Sequence, residues 1–218
     1  MTTNGEHLRI RYDEGCLAAH ALNLVGDRWA MLAVRELVFA PKRFQMLRAG
    51  LPGISASVLN GRLAQLQAVG IVRHDSRLGI YCLTPAGLGL LPVLRALCHW
   101  ALTVPGHDPS RFISPSALMI SMGVTLQQHP ADPLRAGFDF GSEAFEMRLG
   151  VADISTVAVE RPDAAFVLHG SGNDLAAAVY GGAPLADLAG RGRIRIDGDQ
   201  AAAQGFVDHF SLRVPATG

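Results

Sequence analysis

One short hairpin pattern interrupts a stretch that is otherwise helical, and it constrains the fold of this chain more than any other feature. Ile71-Val72-Arg73-His74 and Ile80-Tyr81-Cys82-Leu83 read as two strands, with Asp75 to Gly79 as the turn between them. Upstream, Leu17, Ala21, Leu24 and Val25 recur at helical spacing, and Gly26-Asp27 breaks the run. Asp27 is placed to cap a second helix over 28–38, whose apolar face is Trp29, Leu32, Ala33 and Leu37. Pro41 ends it. A short helix over 43–49 follows, then the turn Gly50-Leu51-Pro52-Gly53, and Ser55 caps a helix that Gly70 stops. After the hairpin, Thr84-Pro85 pairs an N-cap with proline at the first helical position and predicts one helix to about residue 102. Helix, short helix, turn, helix, hairpin is the order of a winged helix-turn-helix.

In such a motif the second helix enters the major groove with its N-terminal residues near the base edges. Leu59, Leu63 and Leu66 share one face and are assigned to the core. Ser55, Ala56, Ser57, Asn60 and Gly61 then lie at the entrance or face outward, with small side chains that let the backbone approach the groove floor. Lys42 and Arg43 open the first arm, where phosphate contact is expected. Arg73, His74 and Arg77 lie on or near the hairpin, where a wing touches the backbone or minor groove. Asn60 and His74 are equally readable as solvated polar residues, and Arg62 reads as a structural ion-pair partner.

Charge supports this placement once the chain is divided. The 218 residues carry 19 basic and 19 acidic side chains. Residues 1–104 hold 11 basic and 6 acidic ones, a net of +5, whereas residues 105–218 hold 8 and 13, a net of −5. A basic half favours a polyanionic partner, here double-stranded DNA.

Pro105, Gly106, Asp108 and Pro109 make a linker, so the expected domains are 1–104 and 110–218. Ser114-Pro115 opens a helix to about residue 128. Strand patterns follow at 134–140, 144–149, 154–160 and 165–169, then helices at 173–180 and 184–188. A strand at 193–196 and a last helix capped by Asp199 complete the pattern. Strands in succession followed by helices indicate an α+β domain with an antiparallel sheet. Met119, Met122, Phe138, Phe140, Phe145, Met147, Phe166, Val179 and Phe206 are candidates to line an apolar ligand pocket there, although core packing explains the same residues.

Two resemblances sharpen the reading. The run from Cys16 to Trp29, the run from Lys42 to Ser55, Val58-Leu-Asn-Gly-Arg-Leu63, Leu66-Gln-Ala-Val-Gly-Ile-Val-Arg73 and Tyr81-Cys-Leu-Thr-Pro-Ala-Gly87 together resemble HxlR-type regulators, relatives of the MarR family. The resemblance implies a winged-helix homodimer on a palindromic operator; a repressor is the expected function, and the composition reads as that of a soluble cytoplasmic protein. It also implies that Cys16 is a candidate oxidant- or electrophile-sensing thiol, where the alternative is a buried, inert one. The family usually carries proline after this cysteine; Leu17 stands here. Ala164-Ala-Phe-Val-Leu-His169, Asp174-Leu-Ala-Ala-Ala-Val-Tyr-Gly-Gly182 and Gly192-Arg-Ile-Arg-Ile-Asp-Gly-Asp199 resemble the sterol-carrier-protein family, which implies a small apolar ligand.

Other chemistries find little support. Cys16, Cys82 and Cys98 lack metal or disulfide spacing. His169-Gly-Ser-Gly172 is not a nucleophile elbow and reads as a strand end, a glycine turn and Asn173 capping a helix. Asp197-Gly-Asp199 lacks the downstream glutamate of a calcium loop. No cofactor, metal or catalytic activity is expected. No membrane contact is expected either, since no apolar run reaches the roughly 18 residues of a span. A lipid carrier using its winged helix only for protein contacts is the remaining alternative. Leu88, Leu91, Leu94, Ala101 and Leu102, with Leu17 and Leu24, exceed what a small core needs and predict a dimer seam.

Overall fold

The computed structural model describes residues 12–213. The first half holds α1 (Leu17–Val25), α2 (Ala30–Leu37), β1 (Lys42–Arg43), α3 (Phe44–Ala49), α4 (Ala56–Ala68), β2 (Val72–Asp75), β3 (Ile80–Leu83), α5 (Pro85–Leu88) and α6 (Leu91–Leu102). The second half holds α7 (Pro115–Thr125), β4 (Leu134–Asp139), β5 (Ala144–Leu149), β6 (Ile154–Val159), β7 (Phe166–His169), α8 (Gly172–Tyr180), α9 (Leu185–Gly190), β8 (Arg195–Gly198) and α10 (Gln200–Val207). The fold is α+β: a winged helix-turn-helix followed by a helix-covered five-stranded sheet.

The polar residues that punctuate the sequence act as caps. Ser55, Thr84 and Ser114 each accept a hydrogen bond from the backbone N–H three residues on, and Asp199 accepts two at the start of α10. The wing pairs Arg73 with Cys82 and His74 with Tyr81. Its turn closes by a 2.8 Å bond from the Gly79 N–H to the Asp75 carbonyl, with Gly79 at φ 65° and the Asp75 carboxylate accepting from the Arg77 and Leu78 amides.

Four local readings are corrected. Lys42-Arg43 is not a helix start but a two-residue strand that pairs antiparallel with β3, giving the sheet order β1-β3-β2. The helix after the wing breaks at Gly89-Leu90, because Pro92 has no N–H to give the Leu88 carbonyl. Ser171, not Asn173, caps α8. Its hydroxyl is bonded to the Asp174 amide and carboxylate, while the Asn173 side chain ties the linker by bonding Ser110, Arg111 and Ile113. The larger sheet, ordered β6-β5-β4-β7-β8, is antiparallel except where β7 returns beside β4 in parallel.

Two apolar cores meet at α7. The first is built from Ala33, Val34, Leu37, Leu47, Leu59, Leu63, Leu66 and Val72, and Ile120 of α7 belongs to it. The second gathers Leu118, Met122, Phe138, Phe145, Met147, Phe166, Leu175 and Phe206. Phe39 packs against both, edge-on to Phe145 with ring centroids 5.5 Å apart.

Pro85–Leu102 keeps much of its apolar surface outside these cores. Its 18 residues, interrupted at Gly89-Leu90, have a mean hydropathy of 1.2, and only 11% of them are buried. Of the expected seam, Leu94 is buried in the first core. The exposed stripe is Val93, Leu97, Trp100 and Val104, at helical spacing, with Leu88 beside it and Leu17 and Leu22 exposed on α1.

Candidate nucleic-acid interface and the joint behind it

Helix α4 buries Leu59, Leu63 and Leu66 and leaves Ser55, Ser57, Asn60 and Gly61 exposed, with Ala56 half-buried. The Ser55 hydroxyl accepts from the Val58 amide at 3.2 Å and lies 3.1 Å from that of Ser57. A Cβ added at Gly61 would meet nothing, so the helix surface is open there. Arg62 Nε lies 2.8 Å from the Asp27 carboxylate, the structural pairing expected of it. The same carboxylate accepts from the Trp29 amide, which fixes the entry of α2 against the recognition helix.

On the wing Arg73, His74 and Arg77 are all exposed. The His74 ring is stacked on Tyr81, with centroids 4.3 Å apart, so it stiffens the hairpin while keeping an edge to solvent. Arg43 is exposed at the start of α3.

Lys42 does not belong to this surface. Strand alternation turns successive side chains to opposite faces, and where Arg43 points out, Lys42 points in and is only 2% exposed. Its ammonium donates to Glu36 at 3.2 Å, to the Ser116 hydroxyl at 3.0 Å and to Glu143 at 2.8 Å. Glu36, itself 1% exposed, also accepts from Arg35 and, at 2.6 Å, from the Ser114 hydroxyl. Phosphate contact by Lys42 is therefore replaced by a buried polar joint linking α2 and β1 to the start of α7 and the β4–β5 turn. Burial pushes the Glu143 carboxyl up, against the lowering pull of Lys42 beside it. Sequence spacing carried no signal of this joint, since Lys42 and Glu143 are 101 residues apart.

The pocket candidates of the second half are mostly solid core. Met119, Met122, Phe138, Phe145 and Met147 are 1% exposed or less, Val179 is buried, and Phe140 packs against the cluster edge-on to Phe145. Large side chains from one face of the sheet and from the helices packed on it fill the interior they were expected to line. Phe166 and Phe206 border a cavity of about 490 Å³, with Leu134, Arg135 and, just after α10, His209. A larger cavity of about 720 Å³ lies between the halves, against α2, the turn before α4, α6, α7 and α8, and none of the expected residues lines it. Its polar interior is Tyr180, whose hydroxyl lies 2.9 Å from that of Ser121 and 3.0 Å from that of Thr125. Burial pushes the Tyr180 phenol up to about 12.

Cys16 is exposed at the start of α1, not buried. The backbone amides of Ala19 and Ala18 at the helix start lower its thiol. Cys98 faces the larger cavity, and burial raises its thiol.

Residues 24–107 match the family model described as HxlR-like helix-turn-helix. The HTH-type transcriptional regulator YvaP of Bacillus subtilis is 35% identical over 86 residues, spanning 37% of this chain and 80% of the relative. Among solved structures, the reduced form of the transcriptional regulator YodB from B. subtilis is 31% identical, covering 43% of this chain and 100% of that one at a TM-score of 0.38. The ubiquinone synthesis protein UbiJ-SCP2 is 15% identical, covering 57% of this chain and 95% of that one at a TM-score of 0.31.

Proposed function

The chain belongs to the HxlR-like helix-turn-helix family, and from that premise we propose that it represses transcription as a cytoplasmic homodimer on a palindromic operator, in answer to a small molecule held through its second half. The observation that carries the reading is the open N-terminal face of α4, at Ser57, Asn60 and Gly61, together with the exposed cations Arg43, Arg73 and Arg77. The first is suited to base edges and the second to phosphates, the division of labour expected of a DNA reader. The exposed apolar stripe of α6 supports pairing of two copies about a two-fold axis.

Fluorescence anisotropy with selected genomic fragments tests it. Binding should weaken steeply with salt, and Arg43→Ala/Arg77→Ala, present in both protomers, should lower the log–log salt slope by about 3.6, near 0.9 for each of the four phosphates no longer neutralised. Asn60→Ala should weaken the operator more than random duplex. An unchanged slope in the double variant refutes the assignment of Arg43 and Arg77.

A second reading is favoured by Cys16, an exposed thiol lowered by helix-start amides: oxidants or electrophiles modify it and change operator affinity. A diamide effect on DNA binding that persists in Cys16→Ser removes this reading.

A further inference from the structure

Resting on the reading of a regulator that answers to a small molecule, we propose that the cavity between the two halves is its effector site, and that the effector is an organic anion with an apolar body. The volume, about 720 Å³, is that of a small-molecule site. Its walls are apolar at Trp29, Leu32, Leu102 and Val124. The hydroxyls of Tyr180, Ser121 and Thr125 satisfy one another, so the inner end presents no charge to a guest.

Charge at the mouth is cationic. Arg35 is held by Glu36 and the Gly50 carbonyl, and Arg111 by Asp108. Arg28 remains: its guanidinium lies over the Trp29 ring at 4.7 Å and pairs with no carboxylate among the described residues. A guanidinium beside an indole face offers a bidentate partner for a carboxylate or sulfonate and a flat surface for the body attached to it.

The same cavity touches the reading head. Asp27, next to Arg28, holds Arg62 of α4 at 2.8 Å, and the wall residues Leu51 and Pro52 belong to the turn that leads into the Ser55 cap. A guest would sit against the turn at Leu51 and Pro52 and beside the Asp27–Arg62 pair, and the opposite wall is α7 and α8 of the second half.

The test uses the full chain with Trp100→Phe, which leaves Trp29 as its one tryptophan, since the sequence holds two. Decanoate, 1-naphthoate and decanol are titrated while Trp29 emission is followed. A saturable change with decanoate at least tenfold tighter than with decanol supports the proposal. A stronger response to naphthoate assigns a planar aromatic acid, and a stronger response to decanoate an acyl one. Arg28→Ala, an exposed position, should abolish the tenfold preference, and Ala117→Phe should fill the cavity and remove binding. Gly205→Phe, in the smaller cavity, should leave it intact.

Equal affinity for decanoate and decanol, an unchanged preference in Arg28→Ala, or loss of binding only in Gly205→Phe overturns the proposal. Because Trp100 lies on the stripe assigned to pairing, operator binding is measured in parallel on the chain that keeps that residue. Its absence sinks the regulator reading, whatever the cavity binds. Operator affinity unmoved by saturating anion overturns the effector role and leaves that reading standing.

Discussion

Replacing Lys42 by methionine should strip the joint between the halves of its central charge while keeping most of its volume. The ammonium holds two carboxylates, Glu36 and Glu143, at 3.2 and 2.7 Å. Glu36 keeps Arg35 at 2.8 Å, but among the described residues Lys42 is the one cation paired with Glu143. The least costly relief is to protonate Glu143. From an ordinary glutamate pKa near 4.3 that costs about 3.7 kcal/mol at pH 7, at 1.36 kcal/mol per pH unit. This agrees with the roughly 3–5 kcal/mol expected when one partner of a buried pair is removed. At roughly 2–4 °C per kcal/mol for a chain of this size, the melting temperature should fall by about 7–15 °C.

The pH dependence follows from the direction of the Glu143 shift. Its carboxyl is raised in the folded state, so its contribution is fully present below the unfolded pKa and is lost as pH rises through the folded value. Lys42→Met removes the group that restrains that rise, so the deficit should be largest at pH 7–8 and shrink as pH falls towards 5. Thermal unfolding followed by circular dichroism at these pH values measures it, and Lys42→Met/Glu143→Gln should recover at least half the loss at pH 7. A deficit under about 1 kcal/mol, or one as large at pH 5 as at pH 8, would refute the reasoning.

A Cβ at Gly50 would overlap the Glu36 carboxylate, so Gly50→Ala should destabilise the fold by about 1–3 kcal/mol, read as a lower urea midpoint; an unmoved midpoint contradicts the packing. Iodoacetamide at neutral pH, followed by peptide mass spectrometry, should modify Cys16 before Cys98, because backbone amides lower the first thiol and burial raises the second; the reverse order would contradict both environments. Leu97→Glu/Trp100→Glu places charges on the exposed stripe of α6 and should give a monomeric mass by light scattering, whereas a dimer in that variant rules out the stripe as the seam.

What the sequence disclosed was what local chemistry decides. Leu59, Leu63 and Leu66 announced their burial by spacing alone, and Ser55, Thr84, Ser114 and Asp199 announced helix starts because a capping side chain acts within three residues of itself. Arg62 was legible as structural because it sits at the boundary of an otherwise clear face. Where a choice depended on distant partners, the reading failed. Ser171 and Asn173 can both cap, and the linker carbonyls of Ser110 and Arg111, over 60 residues upstream, engage Asn173 elsewhere. Aromatic abundance does not distinguish a packed core from a lined pocket, so Phe138 and Phe145 were indistinguishable from Phe166 until the sheet was placed. The larger cavity could not be read at all, because its walls come from residues as far apart in the chain as Trp29 and Tyr180.

Lys42 and Arg43 show why that closure matters for DNA. They are neighbours on a strand of two residues, and the alternation of side chains sends one charge into the joint and the other to the surface. The strand is bonded to the wing through Lys42 opposite Tyr81 and Arg43 opposite Ile80, and Phe44 begins the first arm of the helix-turn-helix immediately after it. On the far side of the joint stand Ser116 of α7 and Glu143 of the β4–β5 turn. The second half therefore cannot turn about α7 and leave β1 in place without stretching two charge-assisted hydrogen bonds inside a buried site, where each is expensive to lose. Such a turn would load β1, which is joined to both the wing and the first arm. A guest in the cavity biases that movement only by its difference in affinity for the two arrangements, typically 1–3 kcal/mol, or about 5- to 150-fold in operator affinity. Removing the ammonium of Lys42 would uncouple the halves while leaving every DNA-facing residue untouched.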